Sequence, residues 1–136
     1  MIIQKQSRRR GEQKYTDEEI EKTAGFDKTL DNDKYSVLRL KNHQAWIKYG
    51  KNTRWDPAAN SDEGQHWYDE LIRKGSSCYF ILNKDTKERY IIEVELSGIT
   101  TVYDDHDDYF KLSKLFKILP DLEADLKFVH NNTVKN

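Results

Sequence analysis

The sequence predicts an α+β fold, a small antiparallel sheet of about four strands packed against helices. Three observations carry that expectation. Residues 78–82, Cys78-Tyr79-Phe80-Ile81-Leu82, form a continuous apolar run suited to a central strand. In residues 89–96, Tyr90, Ile92, Val94 and Leu96 fall on one face and Arg89, Glu93 and Glu95 on the other. That period-2 alternation marks a half-buried antiparallel strand. Leu112, Leu115, Phe116 and Leu119 recur at i, i+3, i+4 and i+7, the stripe of an amphipathic helix.

Taken in order, residues 1–14 hold Lys5, Arg8, Arg9, Arg10 and Lys14 with little apolar content beyond Ile2 and Ile3, and read as a mobile basic arm. A single α+β domain is expected over 15–129. Thr16 with Glu19 forms a capping box that opens a short helix ending at Gly25. The polar, Asp-rich stretch 27–34 reads as a loop. Tyr35, Val37, Leu38 and Leu40 suit a strand. Asn42 caps a helix to Tyr49, and Gly50 stops it. Asn60 and Glu63 suggest a second capping box, opening a helix that carries Trp67, Tyr68, Leu71 and Ile72 and ends at Lys74-Gly75.

The meander follows. The run 78–82 leads through the polar turn 83–87 to the alternating strand, and Ser97-Gly98 turns into a third strand over 99–103. The acidic stretch 104–108 leads into the Leu112–Leu119 helix. Pro120 closes that helix and opens a last one carrying Leu122 and Leu126. Residues 130–136 read as a frayed tail.

Composition narrows the functions. The chain has 136 residues, which suits one domain. Charged residues, at 35%, nearly equal hydrophobic ones at 36%, so the core is small and leans on 3 Trp, 8 Tyr and 5 Phe. A net charge of -1 gives no global field toward nucleic acid or membrane. The single Cys78 forms no intramolecular disulfide and no Cys-based zinc site, which fits a reducing cytoplasm. No apolar run reaches the length of a membrane span, and the basic N-terminus lacks the apolar segment of a secretory signal. No membrane partner and a cytoplasmic location are therefore expected.

Tyr49-Gly50-Lys51-Asn52-Thr53-Arg54-Trp55 resembles a "YGKGTKWC" signature found in small uncharacterised proteins of bacteriophages and other mobile elements. The likeness continues through Trp67-Tyr68, Tyr79-Phe80-Ile81-Leu82, Glu88-Arg89-Tyr90 and Tyr103-Asp104-Asp105, over roughly residues 35–125. It departs after Trp55, where Asp56 stands in place of Cys, so a thiolate at that position is excluded. The resemblance implies a phage-type accessory protein in the host cytoplasm, with counter-defence against a host defence protein as a natural role.

The signature admits a functional reading of its own. Lys48, Lys51 and Arg54 supply positive charge, while Tyr49 and Trp55 supply flat faces. Cation and ring together suit a nucleotide-like ligand through phosphate pairing and base stacking. Tyr49, Lys51, Thr53, Arg54, Trp55, Asp56 and nearby His66 are the candidate ligand-binding residues. A structural reading competes: Asp56 before Pro57 is an N-cap with Pro at N1, and Trp55 is a hydrophobic staple. An enzyme is the alternative class, with Asp56 as base or metal ligand and Arg54 as clamp. A nucleic-acid module working through Arg8, Arg9 and Arg10 is another.

No cofactor or metal is expected. The glycines frame no phosphate loop, and the four His have no ligand spacing. The run Asp104-Asp105-His106-Asp107-Asp108 is acidic enough for a hard cation, but it lacks the EF-hand order and suits a helix N-terminus as well. Cys78 has no glycine-framed elbow to present it as a nucleophile.

Overall fold

The computed structural model describes residues 13–98 and 100–127. Its elements are α1 (Asp17–Thr23), β1 (Phe26–Asp31), β2 (Tyr35–Leu40), α2 (His43–Tyr49), a 3₁₀ turn (Asp56–Ala58), α3 (Asp62–Arg73), β3 (Ser77–Asn83), β4 (Arg89–Val94), β5 (Thr100–Asp104), β6 (Tyr109–Phe110) and α4 (Leu112–Ile118). A further helical turn covers 122–127.

The fold is α+β, with helices packed on an antiparallel sheet. The sheet has six strands rather than about four, and they lie in chain order from β1 to β6. Two strands come from segments read as irregular. β1 occupies much of the stretch expected to be a loop. It is a mostly exposed edge with Asp27, Lys28 and Asp31, and a register shift between Lys28 and Leu30. Charges and a bulge are what an edge strand needs against unwanted pairing, and they erase the apolar alternation that marks a strand. β6 has two residues, too short for any pattern, and makes 104–108 a hairpin turn rather than the approach to a helix.

Helices cover both faces of the sheet. On one face Tyr35, Val37, Tyr79, Ile81, Tyr90, Ile92 and Val102 pack against Leu115 and Leu119, and against Leu122 and Leu126 of the last turn. The Tyr35 hydroxyl donates to the Asp125 carboxylate and ties that turn to the sheet. On the other face Leu38, Leu40, Phe80 and Ile91 meet Ala45 and Trp46 of α2 and the ring of Trp55. The expectation of a half-buried β4 is therefore corrected. Ile91 and Glu93 are buried along with Tyr90 and Ile92, because α2 and α3 cover the second face. Leu96, expected inward, lies past the strand end and is largely exposed.

Helix ends follow local chemistry. Thr16 and Glu19 form the reciprocal capping box of α1, at 3.1 and 3.0 Å. The Asn42 side chain accepts from the Ala45 N–H to start α2. Ser61, not Asn60, caps α3 by accepting from the Gly64 N–H. Asn60 instead pairs twice with the Tyr15 backbone, both bonds at 2.9 Å. Arg8, Arg9 and Arg10 of the expected arm lie outside the described residues, as does the expected tail. Lys14, from the same segment, donates its N–H to the Asn60 carbonyl and pairs with Asp62 at 2.8 Å. No helix among the described residues is long and apolar enough to cross a membrane.

Candidate functional site

The segment joining α2 to the 3₁₀ turn is built to bring Trp55 inward. Gly50 ends α2 where a Cβ would sit 2.5 Å from the Ala58 Cβ and 2.6 Å from the Trp46 carbonyl oxygen, so the close approach requires glycine. Asn52 takes the left-handed conformation, at φ 68°, which Asn tolerates well. The Thr53 hydroxyl donates back to the Gly50 carbonyl at 2.6 Å and closes the turn. Arg89 holds the segment from the sheet, donating to the Lys51 carbonyl at 2.7 Å. The chain then docks on the β5–β6 turn. The Arg54 N–H donates to the Asp105 carbonyl, and the Trp55 indole Nε1 donates to the Asp104 carbonyl.

Trp55 is buried, edge-on to Trp46 and to Phe80. It is thus both core and the floor of a cleft of about 280 Å³ on the same sheet face. Trp46 joins it in the floor, with Cys78, Ile91 and Tyr103 from β3, β4 and β5. Phe80, Ile91 and Tyr103 are cross-strand neighbours, which sets this ladder under the helices. Trp67 and Leu71 of α3 also line the cleft, with Trp67 42% exposed. All 3 tryptophans of the chain therefore meet at one place.

The polar lining is acidic. Among the described residues Asp56, Glu70, Glu93 and Asp107 contribute carboxylates, and Lys74 an ammonium. Buried Glu93 accepts from Lys74 at 3.0 Å and from the Ser76 hydroxyl at 2.7 Å, which raises the Lys74 pKa. Glu70 is held below the usual carboxylate range by its hydrogen bonds from Arg73. Asp56 and Asp107 have no cationic partner among the described residues. The Asp107 carboxyl, exposed but partly desolvated, is pushed up by that desolvation first and then by the neighbouring carboxylates, Asp56 foremost. Asp107 also sits in the left-handed region, at φ 65°. Burial raises the Cys78 thiol, so it stays protonated and apolar in the floor.

The structure divides the residues singled out from sequence. Trp55 and Asp56 line this cleft. Tyr49 packs into the hydrophobic cluster beside it, against Phe26 and Phe80. Lys51 lines a separate depression between α1 and α2. Thr53 is spent on the turn, and the exposed Arg54 is not a lining residue. His66 is exposed and lies edge-on to Trp67, 5.2 Å between ring centres. Asp56 is the first residue of the 3₁₀ turn and makes no capping hydrogen bond, so the cap reading is corrected. The acidic run 104–108 closes the β5–β6 hairpin, where the Asp104 carboxylate accepts from the His106 and Asp108 N–H groups. No group of three or more metal-ligating side chains gathers among the described residues. Trp67, Glu93, Tyr103 and Asp107 join the site only through the fold, since they come from four separate elements or turns.

Comparison of the chain with protein-family models, characterised proteins and solved structures gives no match.

Proposed function

We propose that the protein is a small phage-type accessory protein that acts by binding, and that the cleft beneath α3 receives its target. The observation that carries this reading is the meeting of Trp46, Trp55 and Trp67 around one concave, solvent-open space. Concave aromatic surface with a few convergent polar groups is the usual character of a binding site. A large ring such as Trp67 left half in water is also a common anchor for a partner. Counter-defence, with a host defence protein as the target, is the role we assign on the signature at residues 49–55.

The enzyme alternative draws less support, because Asp56 lines the cleft and Arg54 does not. The test is expression in a phage-challenged bacterial host of the wild type beside Trp67→Ala and Tyr103→Ala. Loss of the protective or counter-protective effect in both variants, with unchanged melting curves, supports the cleft as the working site. Full effect in both variants rejects it.

A further inference from the structure

We propose that the cleft takes a guanidinium group carried on an apolar stem. This deepens the binding reading above and rests on it. The lining has two unlike parts that one ligand type satisfies together. Its accessible wall is aromatic, from Trp67 and Tyr103, over a floor closed by the buried ring of Trp55. Its polar part carries four carboxylates, of which Lys74 engages Glu93 and Arg73 engages Glu70, so that Asp56 and Asp107 are left to a ligand. Asp56 and Asp107, both exposed, contribute negative charge with no ion-pairing cation among the described residues.

Aromatic faces attract cations through the ring quadrupole, and a carboxylate fork completes the charge. A phosphorylated ligand meets the wrong sign here, since the cations of the signature, Lys51 and Arg54, lie outside the cleft. An ammonium head would meet the right sign but is more strongly hydrated. Guanidinium is planar, sheds water more readily, stacks on rings and matches a carboxylate with paired N–H donors. The volume of about 280 Å³ admits one such side chain or a molecule of that size. The chemistry is shared by a free arginine-like molecule and by an arginine projecting from a partner protein.

Because every tryptophan lines the cleft, intrinsic fluorescence reports its occupation without a label. The experiment titrates the full chain with acetyl-arginine amide, its neutral isostere acetyl-citrulline amide, and adenosine monophosphate. The expected result is a saturable change with the arginine probe and a response at least about ten-fold weaker with citrulline, the scale of one lost charge-assisted hydrogen bond. The double variant Asp56→Asn/Asp107→Asn should lose the arginine response and keep its melting curve, since Asn accepts the left-handed backbone at 107.

A glycine-flanked arginine hexapeptide separates the sources. Tighter binding than the single amide assigns the site to a partner's side chain, and equal or weaker binding to a free molecule. Equal response to citrulline, a response to adenosine monophosphate alone, or no response to arginine overturns the inference. The binding reading survives those outcomes if Trp67→Ala and Tyr103→Ala still abolish the effect in cells, and falls with the inference if they do not.

Discussion

The indole Nε1 of Trp55 donates to the backbone carbonyl of Asp104 at 2.6 Å, across 49 residues of chain. That bond fastens the segment after α2 to the β5–β6 turn and fixes the floor of the cleft. Trp55→Phe keeps most of the ring and loses the donor. It should cost about 0.5–1.5 kcal/mol, the net value of one hydrogen bond, since the Asp104 carbonyl still accepts from the Asp107 N–H. Trp55→Ala should cost roughly 3–5 kcal/mol and bring the domain near unfolding, given a total of about 5–15. Urea denaturation of the two variants checks both values, and a Phe variant as stable as wild type removes the bond's structural role.

Gly64 lies in the first turn of α3, where alanine would ordinarily gain up to about 1 kcal/mol of helix propensity. Here a Cβ would sit 2.0 Å from the Ala59 carbonyl oxygen and 3.0 Å from the His43 ring nitrogen Nε2. The near atom is backbone and cannot swing aside. Gly64→Ala should therefore destabilise, by about 1–3 kcal/mol as in overpacked cores. A raised melting temperature would show that α3 has room to shift outward.

The Leu112–Leu119 stripe carries Leu115 and Phe116 together toward the meander, yet Leu115 is the one with no exposed surface, while Phe116 is half-buried at the edge of the cluster. Leu115→Ala should cost about 2–5 kcal/mol, and Phe116→Ala clearly less than Leu115→Ala. Chemical denaturation of the pair decides the order.

His43 is buried, donates Nε2–H to the Ala59 carbonyl at 3.0 Å, and leaves Nδ1 without a partner among the described residues. Burial holds its pKa below the ordinary value of 6.5. The unfolded chain thus takes up a proton at a higher pH than the folded one. His43 supports full stability above the unfolded pKa, and that support is lost as pH falls toward the folded value. The melting temperature should decline between about pH 7 and 5, and His43→Gln should flatten that decline. An identical slope in the variant assigns the acid sensitivity elsewhere.

What the sequence made legible is what periodicity and capping chemistry encode. The apolar run at 78–82, the Thr16 and Asn42 caps and the Leu112–Leu119 stripe each state a local requirement, and each appears in the structure. β1 was hidden because an edge strand carries charges in place of alternation. The second buried face of β4 was hidden because Glu93 looks solvated until Lys74 and Ser76 are folded against it. The cleft was half legible. Trp55 and Asp56 stood in a recognisable signature, but Tyr103 and Asp107 reach them only through strand pairing, which no local pattern records. Arg54 drew notice by its charge, whereas the bond it makes to Asp105 comes from its backbone and leaves no mark in the sequence.

The strand order carries a consequence for assembly. β3, β4, β5 and β6 are joined by short turns, so their pairing closes small loops and proceeds with little entropic cost. β2 meets β3 only after residues 41–76, with α2 and α3, have been gathered in. Such a non-local closure is the slow kind, since its entropy is spent before its contacts form. The three tryptophans come from that gathered segment, while Ile91, Glu93 and Tyr103 come from the strands that pair early. The cleft thus depends on that non-local closure, and a nascent chain released before β3 is made holds every tryptophan but no place to put them.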